Sequence, residues 1–221
     1  MLHQPDLGLL AMASDPRGCR MCSRLVEYRH QQQTRYPEYF NRPVPGFGTR
    51  EARLLIVGLA PGLHGANATG KPFTGDSSGK LLFETLQRTG FARQTGSGSG
   101  EQDLQLLACR ITNAVKCVPP QNRPVAGEVN ACNRYLRAEI AAMPAGSILL
   151  ALGGVAHRAI LLALGQRSAG LDFRHAAEYT LPGGLRLVDS YHPSRYNQNT
   201  GRLTAAMLAR VFERIGSLLH G

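Results

Sequence analysis

The chain has 221 residues, of which 43% are apolar and 18% charged. That suits one α/β domain with a sizeable core, and no apolar run approaches the roughly 20 residues of a membrane-spanning helix. The formal charge of +10 suits a polyanionic partner, because neutralised phosphates supply most non-specific nucleic-acid affinity; ordinary solubility is the plainer reading. The basic residues are scattered along the chain, as on a folded surface.

In chain order, residues 1–15 are expected to be a flexible N-terminus, ahead of a single domain over residues 16–221. Residues 7–13 end in Ala-Met-Ala, like a signal cleavage site. They carry no positive flank, follow Asp6 and are too short for an apolar signal core. A cytoplasmic, nucleoid-associated protein is expected. Cys19 and Cys22 then form a C-x2-C pair. A strand is predicted over 53–59 from its β-branched content, running into Gly58-Leu59-Ala60-Pro61-Gly62. Next comes a Gly/Ser/Thr-rich stretch with His64, Phe73 and Asp76, and then a helix over 78–89 closed by Gly90. Residues 94–103 read as a flexible loop.

The second half repeats the alternation. A strand over 110–116 runs into Cys117 and a Pro-Pro-Gln-Asn loop, and a helix over 128–143 carries Cys132 on its apolar stripe. Strands over 148–153 and 186–190 follow, with a helix over 155–164 between them. The segment Tyr191-His192-Pro193-Ser194-Arg195-Tyr196-Asn197 leads toward a last helix over 203–219. Strands alternating with helices imply a parallel sheet covered on both faces. Ligands of such sheets sit at the carboxyl ends of the strands, where the unusual loops converge.

Each candidate has a functional and a plain reading. Glycines 58 and 62 let a ligand approach the backbone closely, although many α/β turns use Gly and Pro. Phe73 can stack on a planar base or simply pack its loop. Asp76 can orient a water or cap the next helix. His192 can donate to a developing oxyanion or serve structure. The polar run from Ser194 to Asn197 suits phosphate contacts. Five cysteines with one C-x2-C pair favour a metal over disulfides. Zinc and an iron–sulfur cluster both accept four thiolates, while Cys117 and Cys132 are equally readable as core thiols. Cys109 reads as an inert core thiol.

Together these motifs resemble the uracil-DNA glycosylase superfamily, specifically its iron–sulfur branch, family 5 or type B, over residues 19–218. The resemblance implies a three-layer α/β/α fold with a central four-stranded parallel sheet. It makes Cys19, Cys22, Cys117 and Cys132 the ligands of a 4Fe–4S cluster, with zinc the minor alternative. It assigns residues 58–62, with Gly58, Leu59 and Gly62, to the base and its water, and Phe73 to stacking on the flipped base. His192 takes the charge of the departing base, and Asn113 reads the base edge, with Asn122 a second candidate. Ser194, Arg195 and Tyr196, with Asn197 beside them, fall where the family wedges into DNA. Ala60 stands where other branches carry an acidic or amide side chain, which leaves Asp76, then His64, to position water. The implied activity is monofunctional excision of uracil, hypoxanthine and ethenocytosine from single- or double-stranded DNA by a monomer. The alternatives are a non-catalytic iron–sulfur protein that binds lesions, and a zinc-bearing enzyme acting on free nucleotides.

Overall fold

A computed structural model of the chain describes residues 15–95 and 103–220. The expected flexible N-terminus, apart from Asp15, and residues 96–102 of the expected 94–103 loop lie outside the described residues. Within the latter segment, Gln94 ends a strand and the Thr95 amide donates to the Asp103 carbonyl at 2.9 Å.

The elements run α1 (Ser23–Arg35), β1 (Phe47–Gly48), β2 (Leu54–Gly58), α2 (Ala66–Thr69), α3 (Ser77–Arg88), β3 (Ala92–Gln94), β4 (Leu104–Leu106) and β5 (Cys109–Asn113). Then come α4 (Ala126–Ala141), β6 (Ile148–Leu152), α5 (Gly154–Ala163), β7 (Glu178–Thr180), β8 (Arg186–Ser190), α6 (Arg195–Asn199) and α7 (Ala205–His220). Short 3-10 turns cover Pro120–Asn122 and Pro182–Gly184.

The four expected strands pair in parallel, β5-β2-β6-β8, with Gly58 opposite Asn113. The sheet nevertheless has six strands rather than four. β1 and β7 add antiparallel edges. These edges are short and only partly buried, so they lack the apolar pattern that marks a central strand. β3 and β4 form a separate hairpin.

Residues alternate across the sheet. Leu54, Ile56, Ile148, Leu150 and Val188 pack on one side with Leu82 and Leu86 of α3 and Val211, Phe212 and Ile215 of α7. Leu55, Val57, Leu149 and Leu187 pack on the other with Leu136 and Ile140 of α4 and Ile160 of α5. This is the α/β/α sandwich that fully buried parallel strands require. A third cluster joins Leu25 of α1 to Val115, Cys117, Cys132 and Tyr135. Helix α1 was not anticipated, because its buried positions are only Leu25, Arg29 and Gln32.

Candidate active site

At the carboxyl ends of β2, β5 and β8 lies a cavity with about 740 Å³ of space between the surrounding atoms, mouth included. Leu59, Ala60, Gly62, Ala66, Phe73, Asp76, Ser78, Asn113, Asn122, His192 and Ser194 line it. Most of the residues singled out from the sequence therefore converge here. Ala66 and Ser78 were missed, since nothing distinguishes a lone Ala or Ser in its motif.

Gly58 holds the floor together. A Cβ there would stand 2.5 Å from Asn113 Oδ1 and 2.5 Å from Phe73 Cε2, closer than any real contact. Only glycine lets the Phe73 ring and the Asn113 amide meet over the strand end. Phe73 is buried with φ at +61°, a conformation that costs a non-glycine residue on the order of 1 kcal/mol. Its ring stacks on that of His192, centroids 5.7 Å apart at 30°.

His192 follows β8 directly. Its carbonyl accepts from Asn197 Nδ2 at 2.8 Å, and Gln198 Nε2 donates to the Pro193 carbonyl at 2.7 Å. The loop is thus tied to the short helix α6, which Ser194 caps by accepting from the Asn197 amide at 3.3 Å. The polar run expected to lead into the last helix forms this separate helix instead. Gly153, beside the His192 Cβ, adopts φ of +101°, a conformation that favours glycine. The imidazole keeps one edge at the cavity, yet its surroundings are dense enough that burial lowers its pKa to about 4 against the pull of the Asp76 carboxylate. At neutral pH it is an uncharged ring able to donate one hydrogen bond.

Asp76 caps a helix and also reaches the cavity. Oδ1 accepts from the amides of Ser78 and Gly79, each at 2.9 Å, and caps α3. Oδ2 turns toward the glycine loop, 2.8 Å from where a Cβ on Gly65 would stand and 3.4 Å from one on Gly62. Helix capping therefore orients the carboxylate with one oxygen on the cavity side. His64 goes elsewhere. It is exposed, 3.0 Å from the Tyr39 hydroxyl through Nδ1, and meets the rings of Tyr36 and Tyr39 edge-on. It does not line the cavity.

Arg195 lies in an adjoining groove with Lys80, Ser77 and Asp76, and Tyr196 projects with 71% of its surface exposed. Behind β8, Asp189 Oδ1 lies 2.8 Å from His157 Nδ1, whose Nε2 donates to the Leu171 carbonyl at 2.7 Å. Burial disfavours charge on His157, but the Asp189 hydrogen bond outweighs it and raises the pKa. The strap so anchored carries His175, which stacks on Tyr191 at 5.0 Å and accepts from its amide at 3.3 Å. This brace went unseen because its members are scattered across 157–191.

Cys19, Cys22, Cys117 and Cys132 surround a second cavity, apolar elsewhere through Met21, Leu25, Val26, Pro43 and Val115. All are free thiols. Burial pushes Cys117 up to about 12 and Cys132 to about 11. The Lys116 amide donates to Cys132 Sγ at 3.2 Å. Among the described residues, no three His, Cys, Asp or Glu side chains converge on a position for a single metal ion. Cys109 is separate, buried, and donates to the Phe91 carbonyl at 3.3 Å. Ala60 touches both regions, lining the first cavity and packing against the thiol cluster.

The uracil DNA glycosylase superfamily model matches residues 45–216. The chain is 46% identical over 198 residues to a type-5 uracil-DNA glycosylase of Thermus thermophilus, covering 87% of this chain and 90% of that protein. It is 42% identical over 220 residues to one of Pyrobaculum aerophilum, covering 93% and 96%. Against the crystal structure of WT Pedobacter heparinus SMUG2 the TM-score is 0.49 at 13% identity, over 88% of this chain and 85% of that one, a likeness too distant to bear on the chemistry.

Proposed function

Because this chain belongs to the uracil DNA glycosylase superfamily, we propose that it hydrolyses the N-glycosidic bond of uracil in DNA and leaves an abasic site. One juxtaposition carries the reading: Phe73, Asn113 and His192 face a single cavity at the strand ends. That supplies an aromatic face, an amide edge and an uncharged donor for one planar base. The C1′–N bond is reachable only after the nucleotide leaves the duplex, an unstacking cost of a few kcal/mol that is smaller for a mismatched base. Phe73 stacks on the flipped base and Asn113 pairs with its polar edge, with Asn122 at the rim. As the bond breaks, the base departs as an anion, and the His192 donor stabilises it. One such donor is worth about 2.7–4 kcal/mol in acyl-transfer enzymes.

Water then adds to the oxocarbenium-like sugar. Ala60 has no acid–base group, so the free Asp76 oxygen is the water-positioning group in this reading, and His64 is withdrawn from it. The sugar cation needs little base strength, which makes a small residue at 60 tolerable. No lysine lines the cavity among the described residues: Lys71 lies 5.1 Å over the Phe47 ring and Lys80 is in the neighbouring groove. This supports hydrolysis over a Schiff-base route. The small side chains at Ala60, Gly62 and Ala66 leave room for larger bases such as hypoxanthine and ethenocytosine. Tyr196, exposed beside the mouth, is suited to wedge into the duplex, with Ser194, Arg195 and Asn197 toward phosphates. The net charge of +10 favours DNA without specifying single or double strands.

The four cysteines, which line one cavity, are proposed to hold a 4Fe–4S cluster, preferred to zinc on the family resemblance. When bound, such a group would clamp the segment before α1 to the Cys117 loop and α4. An end-labelled oligonucleotide with one uracil, treated with protein and then alkali, should break at that position. Absence of a break above background would overturn the catalytic reading and leave lesion binding without chemistry.

A further inference from the structure

Resting on the reading that the four cysteines hold an anionic iron–sulfur group, we infer that Arg29 is the built-in counter-charge of that group, governing how tightly it is retained and at what potential it is reduced. Arg29 lies on α1, one turn beyond Leu25 of the cavity wall, and is only 7% exposed. Its Nη2 donates to the Cys19 carbonyl at 3.1 Å. Its Nε–H is buried without any partner. Among the described residues, none of the ion pairs includes Arg29. A guanidinium does not shed its proton, and a buried charge without a counter-ion is strongly unfavourable. Uncharged thiols leave that cation uncompensated, whereas thiolates around a cluster supply the missing negative charge.

The neighbouring charges make Arg29 the exception. Arg24 forms a two-point pair with Glu128, both contacts at 2.8 Å. Lys116, fully buried behind Cys132, pairs with Glu139 at 2.8 Å, and Arg110 shares the same carboxylate at 3.2 Å. That group of two cations and one carboxylate adds a further net positive charge to the wall. Net charge and hydrogen bonds to sulfur set cluster potentials. Reduction adds one electron, and a nearby cation stabilises the more negative product.

The test uses full-length protein loaded anaerobically with ferrous iron and sulfide, as wild type, Arg29→Met and Arg29→Lys. The readouts are the decay of absorbance near about 400 nm under a chelator and the midpoint potential in a dithionite titration followed by electron paramagnetic resonance. Arg29→Met should lose the cluster about tenfold faster or more and show a lower potential, and Arg29→Lys should recover most of both. A folded Arg29→Met with wild-type half-life and potential would overturn the inference while leaving the cluster standing. If Arg29→Met does not fold, equal retention and potential in Arg29→Lys and Arg29→Gln overturn it instead. A wild type that takes up neither iron nor sulfide overturns both readings.

Discussion

The two cavities either side of Ala60 are built on opposite principles. The one at the strand ends is wide, and its wall presents a carboxylate, two amides and an uncharged imidazole to whatever enters. The cysteine cavity is walled mostly by apolar side chains and thiols, with Lys116 in its lining and Arg29 buried beyond it. On the proposed reading the first keeps polar groups open for a transient base, and the second would hold a permanent group whose binding energy goes into stability. Substitutions in the first should change rate at constant iron content, and those in the second should change iron content and stability.

The largest expected effect is in the first cavity. His192→Ala should lower kcat/KM by roughly 10²–10³-fold in single-turnover cleavage with iron per chain unchanged; near-normal turnover would break the assignment. Cys132→Ala should instead lose bound iron and lower the melting temperature by roughly 10 °C, since ligand binding is coupled to folding. A variant of unchanged iron content and stability would erase the contrast. Asp76→Asn keeps a capping side chain, because Asn is as good an N-cap as Asp, and removes the charge. Turnover should fall about tenfold with little change in melting, and an unchanged rate would reduce Asp76 to a helix cap.

Smaller effects sharpen the picture. His192 titrates at about 4 in the fold, against 6.5 ordinarily. As pH falls below 6.5 the unfolded chain takes up a proton that the native ring refuses until about pH 4, so stability declines across that window. Melting curves of His192→Gln should lose less stability between those pH values than wild type; parallel curves would show the ring to be solvated. Smallest of all, Tyr196→Ala should weaken action on duplex DNA a few-fold and leave single strands unaffected, and an equal loss on both would argue against a wedge.

Much of this was legible in the chain. The four central strands are apolar runs between turn residues, and they were located to within a few residues. The loops following them carry the cavity because parallel strands present their carboxyl ends together. The composition and placement of these loops brought Gly58, Phe73 and His192 under suspicion, while Asn113 came only from the family resemblance. The edge strands escaped because half-solvated strands lose their pattern. His64 was misleading because a histidine in a glycine-rich loop reads the same whether it faces the cavity or, as here, Tyr36 and Tyr39.

What the sequence by itself determined was the alternation of elements, the identity of the loops and the C-x2-C pair, all local or periodic properties of the chain. Tertiary structure alone decided which oxygen of Asp76 caps a helix and which meets the glycine loop, how far burial depresses His192, and that Arg29 is buried against the Cys19 carbonyl with no ion pair among the described residues. Those are properties of solvent exclusion and of neighbours distant in sequence. A one-dimensional pattern carries neither.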